Sequence, residues 1–296
     1  MSAPLLCLLD SSVYVFRAYY SLPRSITDPS GRPVNAVRGF ATTVLQLLEG
    51  ERPSHFLAAF DESLDSSFRN ETYPAYKSSR EPAPPELLHQ FAACREFVEA
   101  CGLVSAADER FEADDYIATA WMRFGGAEPD LRGLVVTNDK DLCQLVDDRL
   151  SWFDLAKDAR LDGAGVVDKL GVRPDQVPDF LGLAGDSVDD IPGVPGVGPK
   201  TACALLAEFA DLEALYADLG RVAELKIRGA KTLGAKLETH RESALLSKEL
   251  ATVSFKAPLK ARKLDSLSVG APDPKALEAW GAYTGLERLA ERALAR

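Results

Sequence analysis

Nine acidic residues fall into short clusters whose spacing suits the binding of hard metal ions. Asp10 and Asp61 each close an apolar run, PLLCLLD (4–10) and HFLAAFD (55–61). FEADDYIATA (111–120) supplies Glu112, Asp114 and Asp115, TNDKDLCQL (137–145) supplies Asp139 and Asp141, and GDSVDD (185–190) supplies Asp186 and Asp189. A helix start takes one acid as a cap and favours others through the macrodipole, yet three in FEADD exceed what capping needs. Asp139 and Asp141, two apart at a strand end, are expected on one side. Asp186 and Asp189, three apart, share a face if their segment is helical. So many carboxylates cannot stay ionised side by side without cations. Oxygen-only ligation selects Mg²⁺ or Mn²⁺ over zinc, and two such ions roughly 3.5–4 Å apart are the usual apparatus for in-line phosphodiester hydrolysis. A calcium loop would need a DxDxDG run with a Glu at its end, and none is present.

The elements that must position these acids are visible as well. Residues 4–10, 55–61 and 132–139 (RGLVVTND) read as buried parallel strands. Each ends in an aspartate, and open parallel sheets bind ligands outside the carboxyl ends of their strands. Between them, AVRGFATTVLQLLEG (36–50) and PPELLHQFAACREFVEACG (84–102) carry helical periodicity, the second with proline near its start and glycine just past its end. Alternating strands and helices predict an α/β domain with a parallel sheet flanked by helices. From about residue 165 helical, basic sequence takes over. The predicted division is an α/β core over 1–165 and a mostly helical region over 166–296, without a flexible linker.

At 296 residues, 46% hydrophobic and 27% charged, the chain has the composition of one large globular domain or two linked ones. No apolar run approaches the roughly 20 residues of a membrane span, and MSAPLLCLLD does not read as a signal peptide. Five scattered cysteines without a CxxC pair and three separated histidines argue against zinc and disulfide frameworks, and point to a reducing, cytoplasmic setting. The net charge of −11 would by itself argue against nucleic acid as a partner. Its distribution reverses that inference. Residues 221–263 hold eleven Lys and Arg against four Glu, whereas residues 1–220 hold 19 against 36 acids.

The stretch GDSVDDIPGVPGVGPKTA (185–202) joins two of the acids to a glycine- and proline-rich turn. GVPGVGPKT fails as a nucleotide-phosphate loop, GxxxxGK[ST], because Pro199 separates Gly198 from Lys200. Between two helices such a turn lets backbone groups approach a phosphate strand or a monovalent cation with no side chains in the way. YPAYKSSREPAPPE (73–86) is Pro-rich and reads as a surface loop.

Six ordered blocks make nearly the whole chain resemble the bacterial 5′-nuclease family. They are LLCLLDSSVYVFRAYY, FDESLDSSFRNETYPAYKSSR, FEADD, TNDKDL, GDSVDDIPGVPGVGPKTA and HRESALLSKELATV. That family comprises the flap endonuclease and 5′–3′ exonuclease module at the amino end of DNA polymerase I, and stand-alone exonucleases of the exonuclease IX type. All nine acids of its pattern are present, which speaks for two intact metal sites; the departure is Asp190, where the family typically has Asn.

The resemblance implies a PIN-like core, a helical arch at about 73–90 and a helix–three-turn–helix. Lys77 and Arg80 of the arch would contact the scissile phosphate and stabilise transition-state charge. Tyr76 would stack on a terminal base, and Arg69 of the FR pair would touch a phosphate. Gly196, Val197, Gly198, Pro199, Lys200 and Thr201 would hold duplex DNA around a potassium ion, with Leu183, Ala184, Pro192, Val194 and Val197 as carbonyl donors. The expected activity is Mg²⁺-dependent two-metal hydrolysis that releases 5′ flaps or short 5′ fragments from flapped, nicked or branched DNA, by a monomer and with no membrane involved. Two other readings share parts of the pattern. A non-catalytic binder of branched DNA would gain nothing from nine acids near phosphates, and an RNA-cleaving PIN-like nuclease is disfavoured by the turn and the basic segment.

Overall fold

The computed structural model describes residues 3–62 and 66–296; residues 63–65, inside the FDESLDSSFRN block, lie outside the described residues. Six strands form one sheet: β1 (Leu5–Asp10), β2 (His55–Ala59), β3 (Val104–Ala106), β4 (Arg132–Val136), β5 (Leu150–Asp154) and β6 (Ala159–Leu161). Their spatial order is β3-β2-β1-β4-β5-β6, parallel except for β6, which runs antiparallel to β5. The chain lays β1, β2 and β3 outward on one side, then returns to place β4 and β5 on the other side of β1. Strand order therefore reverses between β1 and β4, the position at which open α/β sheets bind ligands.

Leu6 and Leu8 of β1 enter one apolar core and Cys7 and Leu9 the other, all fully buried. Coverage of both faces is why the strands read as unbroken apolar runs rather than alternating ones. The strands expected at 4–10, 55–61 and 132–139 are present but shorter, and only β1 contains its aspartate; Asp61 and Asp139 lie in the loops beyond β2 and β4. β3 and β6 have three residues each, too few for a period to register.

The helices of the first part are α1 (Ser11–Ser21), α2 (Asn35–Gly50), α3 (Phe68–Thr72), α4 (Pro85–Ala100), α5 (Ala113–Gly125), α6 (Gly163–Leu170) and α7 (Val177–Ala184). They continue with α8 (Pro199–Leu206), α9 (Leu212–Ala217), α10 (Leu219–Val222), α11 (Ala230–Thr239), α12 (Arg241–Ala251), α13 (Pro274–Thr284) and α14 (Glu287–Leu294). Residues of α1, α2, α4 and α13 cover the Cys7/Leu9 face, while α5 covers the other. The core under α5 runs on without a break into α7, α8, α9, α11 and α12. Among the described residues no strand follows Leu161, and no helix is long and apolar enough to cross a membrane.

Candidate active site

The carboxyl edge of the sheet opens into a cavity of about 470 Å³ whose wall includes Asp10, Asp61, Glu112, Asp114 and Asp139, together with Lys77 and Arg80. Asp10, Asp61 and Asp139 are each held by a neighbouring element. Thr137, just beyond β4, donates its hydroxyl to Asp10 Oδ2 at 2.7 Å. The first amide of α5, at Ala113, donates to Asp61 Oδ1 at 2.9 Å, while the Asp61 amide donates to Ser12 Oγ of α1 at 2.9 Å. Asp139 Oδ1 accepts the Asp141 amide at 2.9 Å. Asp141 opens a 3₁₀ turn rather than extending a strand, so the pair is set by this loop bond and not by strand alternation.

The acids divide by the presence of a counter-cation. Asp10, Asp61, Asp114, Asp139 and Asp141 make no ion pair among the described residues. Burial, then the neighbouring Asp61, push the Asp10 carboxyl up to about 7. Burial, then Asp10 and Asp139, raise Asp114 well above the carboxylate range, and burial raises Asp61, Asp139 and Asp141 as well. Glu112 goes the other way: burial opposes ionisation, but Lys77 at 3.0 Å and Arg69 at 3.3 Å outweigh it and hold the group at about 2. Lys77 also lies 3.7 Å from Asp189, Arg80 pairs with Asp189, and Lys140 pairs with Asp186 at 2.7 Å.

Three expectations need correction. Asp115 is not placed to bind a metal ion. Its Oδ1 accepts from Arg69 Nη2 at 2.9 Å and the Ser254 amide at 2.7 Å, and its Oδ2 from Arg69 Nη1 at 2.9 Å and the Glu112 amide at 3.1 Å. Four bonds use up a carboxylate's acceptor sites. Arg69 is not a phosphate contact either. It is buried, and its remaining donors go to Glu112, the Leu250 carbonyl at 2.8 Å and the Thr252 carbonyl at 3.1 Å. Tyr76 cannot stack on a base, because it is buried with its hydroxyl directed to Glu112 at 3.2 Å and Asp189 at 3.4 Å.

The expected arch also differs. Residues 74–79 run as turns laid against the acids, and helix starts only at Pro85. The Lys77 amide donates to the Asp189 carbonyl at 3.0 Å and the Ser79 amide to Asp190 Oδ2 at 2.8 Å. Asp190 has φ +55°, a left-handed conformation that Asp and Asn tolerate better than other side chains, and its carboxylate serves the loop rather than the cavity. The GDSVDD segment is likewise not helical: Asp186 and Ile191 exchange backbone bonds at 2.9 and 2.8 Å, closing a tight turn.

Among the described residues no three His, Cys, Asp or Glu side chains stand close enough to form a ready cage for a metal ion. Their chemistry nonetheless fits a hard divalent cation. The donors are all oxygens, five of the acids have no ion-pair partner among the described residues, Asp10 and Asp141 of these are buried, and Asp141 Oδ1 is buried with no hydrogen-bond partner at all.

Beyond Asp186 and Asp189 the chain enters the expected turn. Gly193 has φ +62°, and a Cβ there would fall 2.4 Å from the Gly185 amide nitrogen, so only glycine fits. The Leu183 carbonyl accepts the Val194 amide and the Val194 carbonyl accepts the Val197 amide, both at 2.9 Å, leaving each oxygen a second lone pair. Ala184 ends α7, and Pro192 and Val197 flank the glycines. Gly196 (φ +76°), Gly198, Pro199 and Lys200 form an exposed rim, with Thr201 half-buried behind it; Gly198 caps α8. In the basic segment Arg221, Arg241 and Lys248 are engaged in ion pairs, whereas Lys226, Arg228, Lys231, Lys236, Lys256, Lys260, Arg262 and Lys263 are exposed without one among the described residues.

Three further residues belong to the site. Lys140 sits between Asp139 and Asp141, and that alternation of charge was its sequence signal. Arg17 and Tyr20 of α1 line the cavity, Arg17 without an ion pair among the described residues and Tyr20 at 71% exposure.

Two protein-family models cover most of the chain: "5′-3′ exonuclease, N-terminal resolvase-like domain" matches residues 5–171 and "5′-3′ exonuclease, C-terminal SAM fold" matches residues 172–275. DNA polymerase I of Pseudomonas aeruginosa is 42% identical over 278 residues, 94% of this chain and 30% of that protein. DNA polymerase I of Bacillus subtilis is 38% identical over 260 residues, 86% of this chain and 28% of that protein. The chain thus spans less than a third of the length of these relatives. Among solved structures, the bacteriophage T5 flap endonuclease in a pseudo-enzyme–product complex with DNA and metal ions aligns with TM-score 0.67 at 19% identity, covering 98% of each chain. The catalytic core of Rad2 in complex with DNA substrate aligns with TM-score 0.63 at 13% identity, over 99% of this chain and 92% of that one. At such identities the structures establish the shared fold: a parallel-dominated, PIN-like sheet domain followed by a helical one. On the two family models, the chain belongs to the 5′–3′ exonuclease family.

Proposed function

We propose that this chain is a Mg²⁺-dependent, structure-specific 5′ nuclease that hydrolyses phosphodiesters near the 5′ end of flapped, nicked or branched DNA. One observation carries the reading: four acids without counter-cations, Asp10, Asp61, Asp114 and Asp139, line the cavity at the sheet's reversal point, with Asp141 hydrogen-bonded to Asp139 and a glycine turn that continues from two more acids close by. Acids of the cavity wall, Asp10, Asp61, Glu112, Asp114 and Asp139, would hold one divalent ion, and Asp141, Asp186 and Asp189 would help to hold a second. Such ions, Mg²⁺ or Mn²⁺, would activate a water and neutralise charge on the phosphate and leaving oxygen.

The chain's own groups do the rest. Lys77 and Arg80 reach into the cavity as donors for the non-bridging oxygens, where charge develops in the transition state. Arg17 is placed to hold a neighbouring phosphate, and Tyr20, rather than Tyr76, offers the exposed ring on which a terminal base could stack. The turn at Gly193–Thr201 would grip the duplex through backbone groups, around a potassium ion bound by the carbonyls of Leu183, Ala184, Pro192, Val194 and Val197. Exposed lysines and arginines of residues 226–263 would neutralise duplex phosphates without reading sequence. The proposed unit of action is a monomer working in the cytoplasm.

A 5′-labelled flap substrate incubated with Mg²⁺ or with EDTA tests this. Release of the labelled 5′ fragment only with Mg²⁺ is expected. Duplex binding without cleavage at any Mg²⁺ concentration would make the chain a branched-DNA binder instead.

A further inference from the structure

Arg69 and Asp115 satisfy one another so fully that neither is open to DNA or metal, yet the pair is joined to both functional halves of the molecule. On one side it holds Glu112: Asp115 Oδ2 accepts the Glu112 amide at 3.1 Å, and Arg69 Nη1 reaches the Glu112 carboxylate at 3.3 Å. On the other it holds the end of α12, whose Leu250 carbonyl accepts from Arg69, and the residues just past it: the Thr252 carbonyl accepts from Arg69 and the Ser254 amide donates to Asp115. The same helix, one to two turns earlier, clasps the turn. Ser247 Oγ accepts the Gly193 amide at 2.9 Å and Ser243 Oγ donates to the Gly193 carbonyl at 2.7 Å. Ser247 and Asp115 are fully buried and Arg69 is 3% exposed, so water does not loosen these bonds. From Gly193 to Glu112 the path is one stiff helix and one planar, forked ion pair, with no loop in between.

We propose that α12 and the Arg69–Asp115 pair act as a rigid spacer between the turn that grips the duplex and the acid Glu112, making Arg69 a positioning residue that fixes which phosphodiester is cut. This rests on the nuclease reading above. Successive nucleotides rise about 3.4 Å along a strand, so slack of that size is enough to move the cut by one position. Lysine keeps the charge at residue 69 but offers a single ammonium, which cannot bridge a carboxylate, two carbonyls and Glu112 at once.

The test compares wild type, Arg69→Lys and Ser247→Ala on a 5′-labelled flap, reading the distribution of cut positions. Duplex affinity is measured in Ca²⁺, and Mn²⁺ affinity is measured on the DNA-free protein. Wild type should cut at one dominant position. Both variants should move product to the adjacent phosphodiester, a shift of about one nucleotide. Arg69→Lys should retain duplex affinity and bind Mn²⁺ about tenfold more weakly, the usual consequence of loosening what orients a metal-binding acid. If Arg69→Lys fails to fold, Ser247→Ala at the far end of the spacer decides by the same readout. Cut positions unchanged in the folded variants would overturn the proposal, as would a loss confined to duplex affinity, which would make Arg69 a DNA contact after all. A wild type that does not cut would sink the nuclease reading instead. The Mn²⁺ titration would then decide the spacer alone, equal affinities refuting it.

Discussion

Metal-free protein should lose stability as pH rises, and Mg²⁺ should restore it. Asp10 supplies the magnitude. Its carboxyl titrates from 3.8 when exposed to about 7 in the fold, raised by burial and by Asp61. Between those values the native state binds a proton that the unfolded chain has lost. Stability from this group is therefore present below about pH 4 and is lost as pH climbs through about 7. A difference of about three pKa units corresponds to about 4 kcal/mol. Only about half of that, roughly 2 kcal/mol, is left to lose between about pH 5.5 and about pH 8; with about 2 cal/mol/K of unfolding entropy per residue, that is a fall in Tm of about 3 °C for a chain of this length. A bound divalent cation stabilises the ionised form and removes the effect. Thermal melts at about pH 5.5 and about pH 8, each in EDTA and in Mg²⁺, measure it directly, with Asp10→Asn in EDTA as the control whose melt should be flatter with pH. A metal-free Tm that held or rose over this range, or a Tm at the higher pH that ignored Mg²⁺, would refute the view that these acids stand uncompensated.

Lys77→Ala should slow single-turnover flap cleavage by about 10²-fold or more while leaving duplex affinity in Ca²⁺ nearly unchanged; normal cutting with poor binding would make Lys77 a steering charge. Gly196→Val should weaken duplex binding, since φ is +76° and a Cβ there would meet Lys236 Nζ at 2.8 Å, while Mn²⁺ affinity of the DNA-free protein stays as in wild type. Affinity for a nicked duplex should fall with salt at about −0.9 per neutralised phosphate on a log–log scale. The pair Lys226→Ala and Lys231→Ala should lessen that slope without altering which junction is cut; a wild-type slope near zero would mean that the basic segment faces away from DNA.

Legibility in the sequence followed the range of the interactions. β1, β2 and β4 are continuous apolar runs because both faces of the sheet are covered, and their acids meet because parallel strands share a carboxyl edge. α2 and α4 stand close to their periodic segments, α4 with Pro85 in its first turn. Arg69, Tyr76 and Lys77 look alike in sequence, three polar residues of one motif. What separates them is distant in the chain: Asp115 and the carbonyls of Leu250 and Thr252 capture Arg69, and Glu112 with Asp189 draws in the Tyr76 hydroxyl. No local pattern encodes such pairings. Asp115 shows the same limit, since FEADD presents three acids alike while α5 turns one of them inward to an arginine. Neither spacing rule describes the local structure: Asp141 opens a 3₁₀ turn and its amide bonds Asp139, and Asp186 and Asp189 lie in a tight turn rather than on a helix face.

The most direct test of the central claim is single-turnover cleavage of a 5′-labelled flap across a Mg²⁺ series by wild type and Asp139→Asn. Asp139 lines the cavity with Asp10, Asp61 and Asp114, and the amide keeps its shape while removing its charge. Wild type should cut only when Mg²⁺ is present, and Asp139→Asn should bind the flap at least as tightly in Ca²⁺ yet release no product at any Mg²⁺ concentration. Full turnover by the variant at saturating Mg²⁺, or cleavage by wild type in EDTA, would contradict the account.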